Sequence, residues 1–377
     1  MSDTAGLGDM LKQKLKKEHL GLLFDKLKVT HGVLGPKVEN GVVTLAEIDA
    51  HDIPSGYEDH QQPGGYRLIK GERPEIFSFS IGPDSFKRFL QPPLREVFAF
   101  RRAAGISITR PGAEQRPLAF IDMRPCDLSA LKLYDRIFLR GPVRDPYYDS
   151  LRRDSLVFVL NCLYPNDNCF CPSMGTGPEA TDGFDVALTE LSDSFLLEAG
   201  TAKGETVLAG LPAGEVDDSD MREKGARIEL CRKRIKKFIR AGELPGLIYR
   251  NVEHPRWAEI AERDLECGNC TQLCPTCFCN STYDALGLSG ISKKSYQVSG
   301  RRMRKWDSCF SKNFARVHGG NFRPSRRARY RQWMSHKLAY TMEQFGLPGC
   351  VGCGRCITWC PAGIDITKEL EALKSAR

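Results

Sequence analysis

The sequence has no run of eighteen or more apolar residues, so nothing in it reads as a membrane span. No G-x-G-x-x-G follows a candidate strand and no G-x-x-x-x-G-K-[ST] occurs, so the dinucleotide and P-loop phosphate fingerprints are absent. The seven histidines are scattered and never grouped with carboxylates, which leaves no seed for a hydrolytic centre. Met1 to Gly8 lacks a charged segment followed by an apolar one, so no secretory signal is expected and the cytoplasm is the expected compartment. Low hydrophobicity is missing too: 41% of the 377 residues are hydrophobic, which excludes a disordered chain and suits two or three packed domains.

What the chain has in excess is cysteine. There are 15, an odd number, and they are bunched, whereas a disulfide framework spreads its cysteines and is disfavoured in a reducing compartment. Bunched thiols point to metal sites.

The strongest run is Cys350-Val-Gly-Cys353-Gly-Arg-Cys356-Ile-Thr-Trp-Cys360-Pro361, the C-x2-C-x2-C-x3-C-P spacing of bacterial ferredoxins. Close spacing with Gly352 and Gly354 lets one short loop wrap three thiolates around a cubane, while the fourth cysteine serves another cluster. A zinc knuckle needs two separated pairs instead. A second run, Asp264-Leu-Glu-Cys267-Gly-Asn-Cys270-Thr-Gln-Leu-Cys274-Pro275, is the same motif with Asp264 in the first position. Crossed ligation then predicts two [4Fe–4S] clusters. Asp264, Cys267, Cys270 and Cys360 would hold one; Cys274, Cys350, Cys353 and Cys356 would hold the other. Asp264 either binds iron as a harder ligand or is a surface carboxylate, with Cys277, Cys279 and Cys309 as competing thiols.

A third [4Fe–4S] site is expected from Cys126, Cys162, Cys169 and Cys171. Cys126 follows a strand ending at Met123, and Cys162 follows one ending at Asn161. Both strand ends would open on one edge of a parallel sheet, where α/β domains bind ligands. The alternative is a set of reduced structural thiols. Cys231, with no cysteine neighbour, reads as a small core residue.

The pattern predicts an α/β domain over 1–249 with a mixed or parallel sheet, then a mainly helical ferredoxin-like dicluster domain over 250–377. Leucines at near-helical spacing predict an amphipathic helix over 7–27. Strands are expected at Val42–Leu45, Ile76–Ile81, Leu118–Met123, Leu156–Asn161, Phe184–Thr189, Phe195–Glu198 and Thr206–Leu208. A helix is expected over Asp127–Leu139, and another after the acidic loop 210–220 as far as Arg240. The net charge of +8 and the stretch Arg323 to Arg331 read as compensation for anionic clusters. No helix-turn-helix or aromatic RNA-binding strand accompanies them, so nucleic acid is not an expected partner.

Taken together, Arg124-Pro-Cys-Asp127, Asp145-Pro-Tyr-Tyr148, Cys169-Phe-Cys171, Gly175-Thr-Gly-Pro178, Cys274-Pro-Thr-Cys277, Trp306-Asp-Ser-Cys309, Gly319-Gly-Asn-Phe-Arg323 and Gly352-Cys-Gly-Arg-Cys356 extend over most of the chain. With them the sequence resembles the beta subunits of cytoplasmic NAD(P)-linked [NiFe] hydrogenases, the sulfhydrogenase beta family. It is similar as well to the electron-passing partner of the siroheme protein in anaerobic sulfite reductases. In that family a cysteine stands at the position of Asp264, so this sequence departs there. The resemblance implies a hetero-oligomeric oxidoreductase without membrane insertion. In it this chain carries electrons between a flavin subunit that binds NAD(P)H and [NiFe] hydrogenase subunits, or toward a siroheme subunit. No bond-making catalytic site is expected on this chain.

Overall fold

The computed structural model describes residues 10–80, 82–102, 105–111, 116–287, 291–292, 295–296 and 298–375. Met1 to Gly8 and Ile81, which entered the expectations above, lie outside the described residues.

The chain opens on β1 (Lys12–Lys16), a 3-10 turn and α1 (Leu20–Lys28), followed by β2 (Gly32–Glu39), β3 (Val42–Glu47) and the hairpin β4 (Tyr57–Gln62) and β5 (Gly65–Lys70). A single helix over 7–27 does not form. Lys12 to Lys16 pairs antiparallel with a later strand and turns only Leu15 fully inward. Lys12, Lys14 and Lys16 suit an edge strand, where charge discourages pairing with another chain. Ile76 to Ser80 is also not a strand. The backbone N–H groups of Ile76 and Phe77 donate to the carboxylate of Glu190 (2.7 and 3.0 Å), and that of Ser80 to Asp59 Oδ1 (2.6 Å). Side chains here replace the ladder a strand would need.

Next come α2 (Lys87–Leu90), β6 (Leu94–Arg102), β7 (Ile106–Thr109), β8 (Leu118–Met123), α3 (Pro125–Phe138), α4 (Pro146–Arg153) and β9 (Leu156–Leu160). Then β10 (Val186–Glu190), β11 (Ser194–Ala199), α5 (Ala202–Leu208) and α6 (Asp218–Arg234) follow. Thr206 to Leu208 is the end of α5, not a strand, because Thr201 caps the segment through Gly204 N (3.2 Å). α6 begins at an Asp217 capping box, as the acidic loop predicts. It stops at Arg234, where Ile235 turns extended, and not at Arg240.

The main sheet is mixed, in the order β1-β11-β10-β9-β8-β2-β3. Four of its five inner strands, β10, β9, β8 and β2, are parallel, and the fifth, β11, is antiparallel to its neighbours. One face packs on α1 through Leu23, Phe24, Leu27, Phe158 and Phe195, the other on α3 and α4 through Leu131, Tyr134, Tyr148 and Val157.

After α7 (Leu244–Arg250), α8 (Arg256–Arg263) and α9 (Asn269–Gln272) come β12 (Asn280–Gly287), β13 (Ile291–Ser292), β14 (Ser295–Tyr296) and β15 (Val298–Trp306). The short pair β16 (Arg316–Val317) and β17 (Gly320–Asn321) precedes α10 (Arg326–Ser335). A π-helical turn (His336–Tyr340) links α10 to α11 (Thr341–Phe345); α12 (Arg355–Thr358) and α13 (Ile366–Ser375) end the chain. This part therefore holds strands as well as helices. β15 pairs with both β12 and β6, giving a second sheet, β12-β15-β6-β7, made from distant parts of the sequence. The core around Trp257, Tyr330, Trp333 and Ile357 likewise draws in Phe170, Ile239, Leu244 and Ile248. No helix among the described residues is long and apolar enough to cross a membrane.

Candidate metal centres

Four cysteines meet at the carboxyl edge of the main sheet. After β8, Arg124 is extended and Pro125 occupies the first turn of α3, where its fixed φ suits a helix start; Cys126 follows it. After β9, the buried Asn161 donates to Thr189 Oγ1 (2.9 Å) and accepts from Ala180 N (2.9 Å), so both ends of the loop that carries Cys162, Cys169 and Cys171 are tied to the sheet. Cys126, Cys162, Cys169 and Cys171 line one cavity with Arg124 and Arg355, and Cys353 of the C-terminal run joins them. Burial pushes the thiols of Cys126, Cys169 and Cys171 well up, and the neighbouring thiols add to the shift. Cys162 is raised by burial as well, against the pull of Arg124, whose Nη1 lies 3.8 Å from its sulfur. Buried thiols this close are stable as thiolates only when a cation offsets them, which is the donor chemistry an iron–sulfur cluster supplies for itself. Cys231 is fully buried on α6 beneath this group, within electrostatic reach of Cys162 and Cys171.

The two C-terminal runs cross. Cys274 sits beside Cys350, Cys353 and Cys356, for its charge raises all three thiols; burial is the larger cause in each and takes Cys350 to about 12. Cys274 itself is held well below the usual thiol range by the Cys277 thiol and by Lys337. Lys337 lies in the π-helical turn, a distortion that turns its buried ammonium inward. It donates to Cys274 Sγ (3.0 Å), Cys277 Sγ (3.5 Å), Thr276 Oγ1 (3.1 Å) and Gly349 O (3.1 Å).

Asp264, Cys267, Cys270 and Cys360 line another cavity, walled by Phe310, Tyr330 and Trp333 and touched by Cys356. Helix α8 ends at Asp264, and left-handed Glu266 and Gly268 then reverse the chain into α9. Asp264 is not a surface carboxylate: it is 7% exposed. Its Oδ1 accepts from Glu266 N (3.0 Å), while its buried Oδ2 has no hydrogen-bond partner among the described residues. Burial raises its pKa, against the pull of Glu266 N–H, Arg326 and Arg329. An unpaired oxygen facing three thiols fits a fourth ligand for iron.

The glycines of the C-terminal run have a second use beyond wrapping the loop. Gly352 (φ 64°) and Gly354 (φ 76°) press against the loop of the sheet-edge group. A Cβ on Gly352 would stand 2.7 Å from Phe170 and Cys171 backbone, and one on Gly354 2.7 Å from Asn168 backbone. Phe170 N donates to Gly352 O (2.8 Å), Asn166 Nδ2 to Cys353 O (3.1 Å), and Thr176 Oγ1 to Val351 O (2.6 Å).

Three cations stand out here that spacing did not reveal: Arg124, Lys337 and Arg355. Buried Arg355 forms a two-pronged ion pair with Asp127 (2.7 and 2.7 Å), joining the residue after Cys126 to the residue before Cys356. Arg124 is paired with Asp122 (2.6 Å). The position of Arg355 between two ligands was a readable signal; nothing local marks Lys337. The arginines of the Arg323–Arg331 stretch are mostly committed to partners within the chain, and Arg329 alone is buried. Arg329 pairs with Glu266, beside Cys267, and donates to Pro324 O (2.8 Å), while Arg327 and Arg331 pair with Glu253 (3.0 and 2.8 Å).

Crossed cysteine runs around paired thiol groups define an iron–sulfur protein of the dicluster class, and residues 263–364 match the family model for the 4Fe-4S dicluster domain. The chain is 30% identical over 364 residues, 96% of its length and 98% of the relative's, to sulfhydrogenase 2 subunit beta of Pyrococcus furiosus. It belongs to the sulfhydrogenase beta-subunit family. No solved structure matches it.

Proposed function

We propose that this chain is the electron relay of a hydrogenase-type complex and holds three [4Fe–4S] clusters. Asp264, Cys267, Cys270 and Cys360 would bind the first, Cys274, Cys350, Cys353 and Cys356 the second, and Cys126, Cys162, Cys169 and Cys171 the third. The observation that carries this reading is the reach of one short loop: Cys353 lines the sheet-edge cavity, while Cys356 and Cys360 line the Asp264 cavity. The middle group thus touches both others, so the three sites form a continuous series.

Bound clusters supply one-electron chemistry; the protein supplies their ligands, their insulation and their compensating charge. Phe310, Tyr330 and Trp333 exclude water from the Asp264 group. Lys337 lies against the middle group and Arg124 and Arg355 against the sheet-edge group, each offsetting thiolate charge without offering a proton that ordinary pH removes. At one end of the series a flavin subunit would exchange electrons with NAD(P)H, and at the other a [NiFe] hydrogenase module would use them. All 15 cysteines are unpaired, which suits the cytoplasm.

Anoxic purification of the native complex tests this. A nickel-bearing large subunit and a flavin subunit should co-purify, and this full chain, purified anoxically by itself, should hold about 12 iron atoms; about 8 would remove the third cluster. A siroheme subunit in place of nickel would reassign the partner.

A further inference from the structure

Three side chains that line the Asp264 cavity each carry a buried polar atom with no hydrogen-bond partner among the described residues: Asp264 Oδ2, Tyr330 Oη and Trp333 Nε1. The three residues are 7%, 3% and 4% exposed. A buried O–H or N–H without an acceptor is costly, and folded chains seldom gather several in one place. The other buried tyrosines and tryptophan of this molecule obey that rule. Tyr134 Oη donates to Cys277 O (2.7 Å), Tyr148 Oη to Asp135 Oδ1 (2.7 Å) and Trp257 Nε1 to Asn251 O (2.7 Å).

Tyr330 stands on α10 with its ring against Trp333 (5.3 Å between centroids), Phe310 (6.0 Å) and Trp257 (6.5 Å). These rings give the phenol no strong acceptor. The cavity it lines is shared with Cys267, Cys270, Cys356 and Cys360. Burial holds the Tyr330 phenol well above its usual range, and the charges of Glu369, Cys270, Cys356 and Asp264 add to the shift, so it keeps its proton and can only donate. Glu369 is already engaged by Arg256 (2.7 Å) and Arg263 (2.6 Å). One unpaired carboxylate oxygen and one unpaired O–H on the same cavity match the two surfaces of an iron–sulfur cluster: iron for the oxygen, sulfur for the O–H. Trp333 also lines the neighbouring cavity of Cys277, Cys279 and Cys309, so the assignment is made for Tyr330.

We propose that the Tyr330 O–H donates a hydrogen bond to a sulfur of the cluster held by Asp264, Cys267, Cys270 and Cys360, and thereby raises that cluster's reduction potential. The proposal rests on the electron-relay reading. An added electron makes the cluster sulfurs more negative and strengthens the bond they accept, so the donor favours the reduced state. The proton stays on the phenol in both states, and no covalent bond changes. Tyr330 therefore sets how readily the Asp264 end of the series takes an electron from the middle group.

The test is an anoxic redox titration, followed by EPR, of the full chain with its clusters in place. Tyr330→Phe removes the hydroxyl and keeps the ring. At a fixed potential one cluster should be about tenfold harder to reduce than in the wild type, a midpoint about 59 mV lower for a one-electron couple. It should be the cluster whose signal Asp264→Cys moves, and the other midpoints should stay in place. Fluorotyrosine at position 330, a stronger donor, should move the same midpoint upward, and it decides the matter alone if Tyr330→Phe does not fold. An unchanged midpoint at equal iron content, a shift confined to another cluster, equal shifts in all of them, or loss of iron from the folded variant overturns the proposal. Absence of cluster signals from the wild type would instead overturn the relay reading.

Discussion

In the C-terminal run four cysteines lie between Cys350 and Cys360, whereas the sheet-edge group gathers Cys126, Cys162, Cys169 and Cys171 from the ends of two parallel strands. The first arrangement is local. Its loop brings three thiols together whatever surrounds it, and only Cys274 and Cys360 reach across. The second exists because β8 and β9 are neighbours in a parallel sheet and because Asn161 ties down the intervening loop. The two regions are also coupled, since the C-terminal loop forms one wall of the sheet-edge cavity. Converging thiol groups can thus arise from a motif or from topology, and the second kind depends on the first for its closure.

The largest break in that comparison is removal of one ligand. Cys169→Ser should lower iron by about four atoms per chain and leave the C-terminal cluster signals in place. Loss of all iron would show that the regions do not load independently, and iron analysis with EPR reads the difference. Next is the ion pair that joins them. Arg355→Met leaves Asp127 charged and buried, so stability in denaturant should fall by about 3–5 kcal/mol, whereas the double variant with Asp127→Leu should recover most of it.

Smaller is the steric lesion at the contact. Gly354→Ala forces a Cβ against Asn168 backbone at a positive φ and should cost about 1–3 kcal/mol, with iron lost first from the sheet-edge site. Asp264→Cys should leave the iron count unchanged and move one EPR signal; an identical spectrum would remove Asp264 from the ligands. Least of all, Arg327→Ala breaks a solvent-exposed pair with Glu253 and should change stability by less than about 1 kcal/mol.

Legibility followed locality. The strand Leu118–Met123 and the helix behind it were readable because a continuous apolar run, Arg-Pro and a periodic segment follow one another within a few residues. Ile76–Ser80 misled because its apolar content is the same whether its N–H groups meet a strand or the carboxylate of Glu190, more than a hundred residues away. Lys12–Lys16 misled because leucines spaced for a helix also permit an edge strand when β11 offers a partner. Thr206–Leu208 was too short to show its period, and the cap that decides it, Thr201, lies outside the apolar segment. Asp264 was readable as a candidate from its place in the run, but its burial and its unpaired oxygen depend on Tyr330 and Trp333 packing from α10.

By itself the sequence determined the kind of chemistry, because ligand spacing in a cubane loop is a property of a few consecutive residues. It also led to the expectation that the two runs cross, since in the ferredoxin spacing the fourth cysteine serves the other cluster. Only the tertiary structure decided that Cys353 faces the sheet-edge thiols, that Lys337 lies against Cys274, and that Cys277, Cys279 and Cys309 line one cavity. Those contacts join residues far apart in the chain, and their geometry is set by strand order, a π-helical turn and two glycines pressed against another loop.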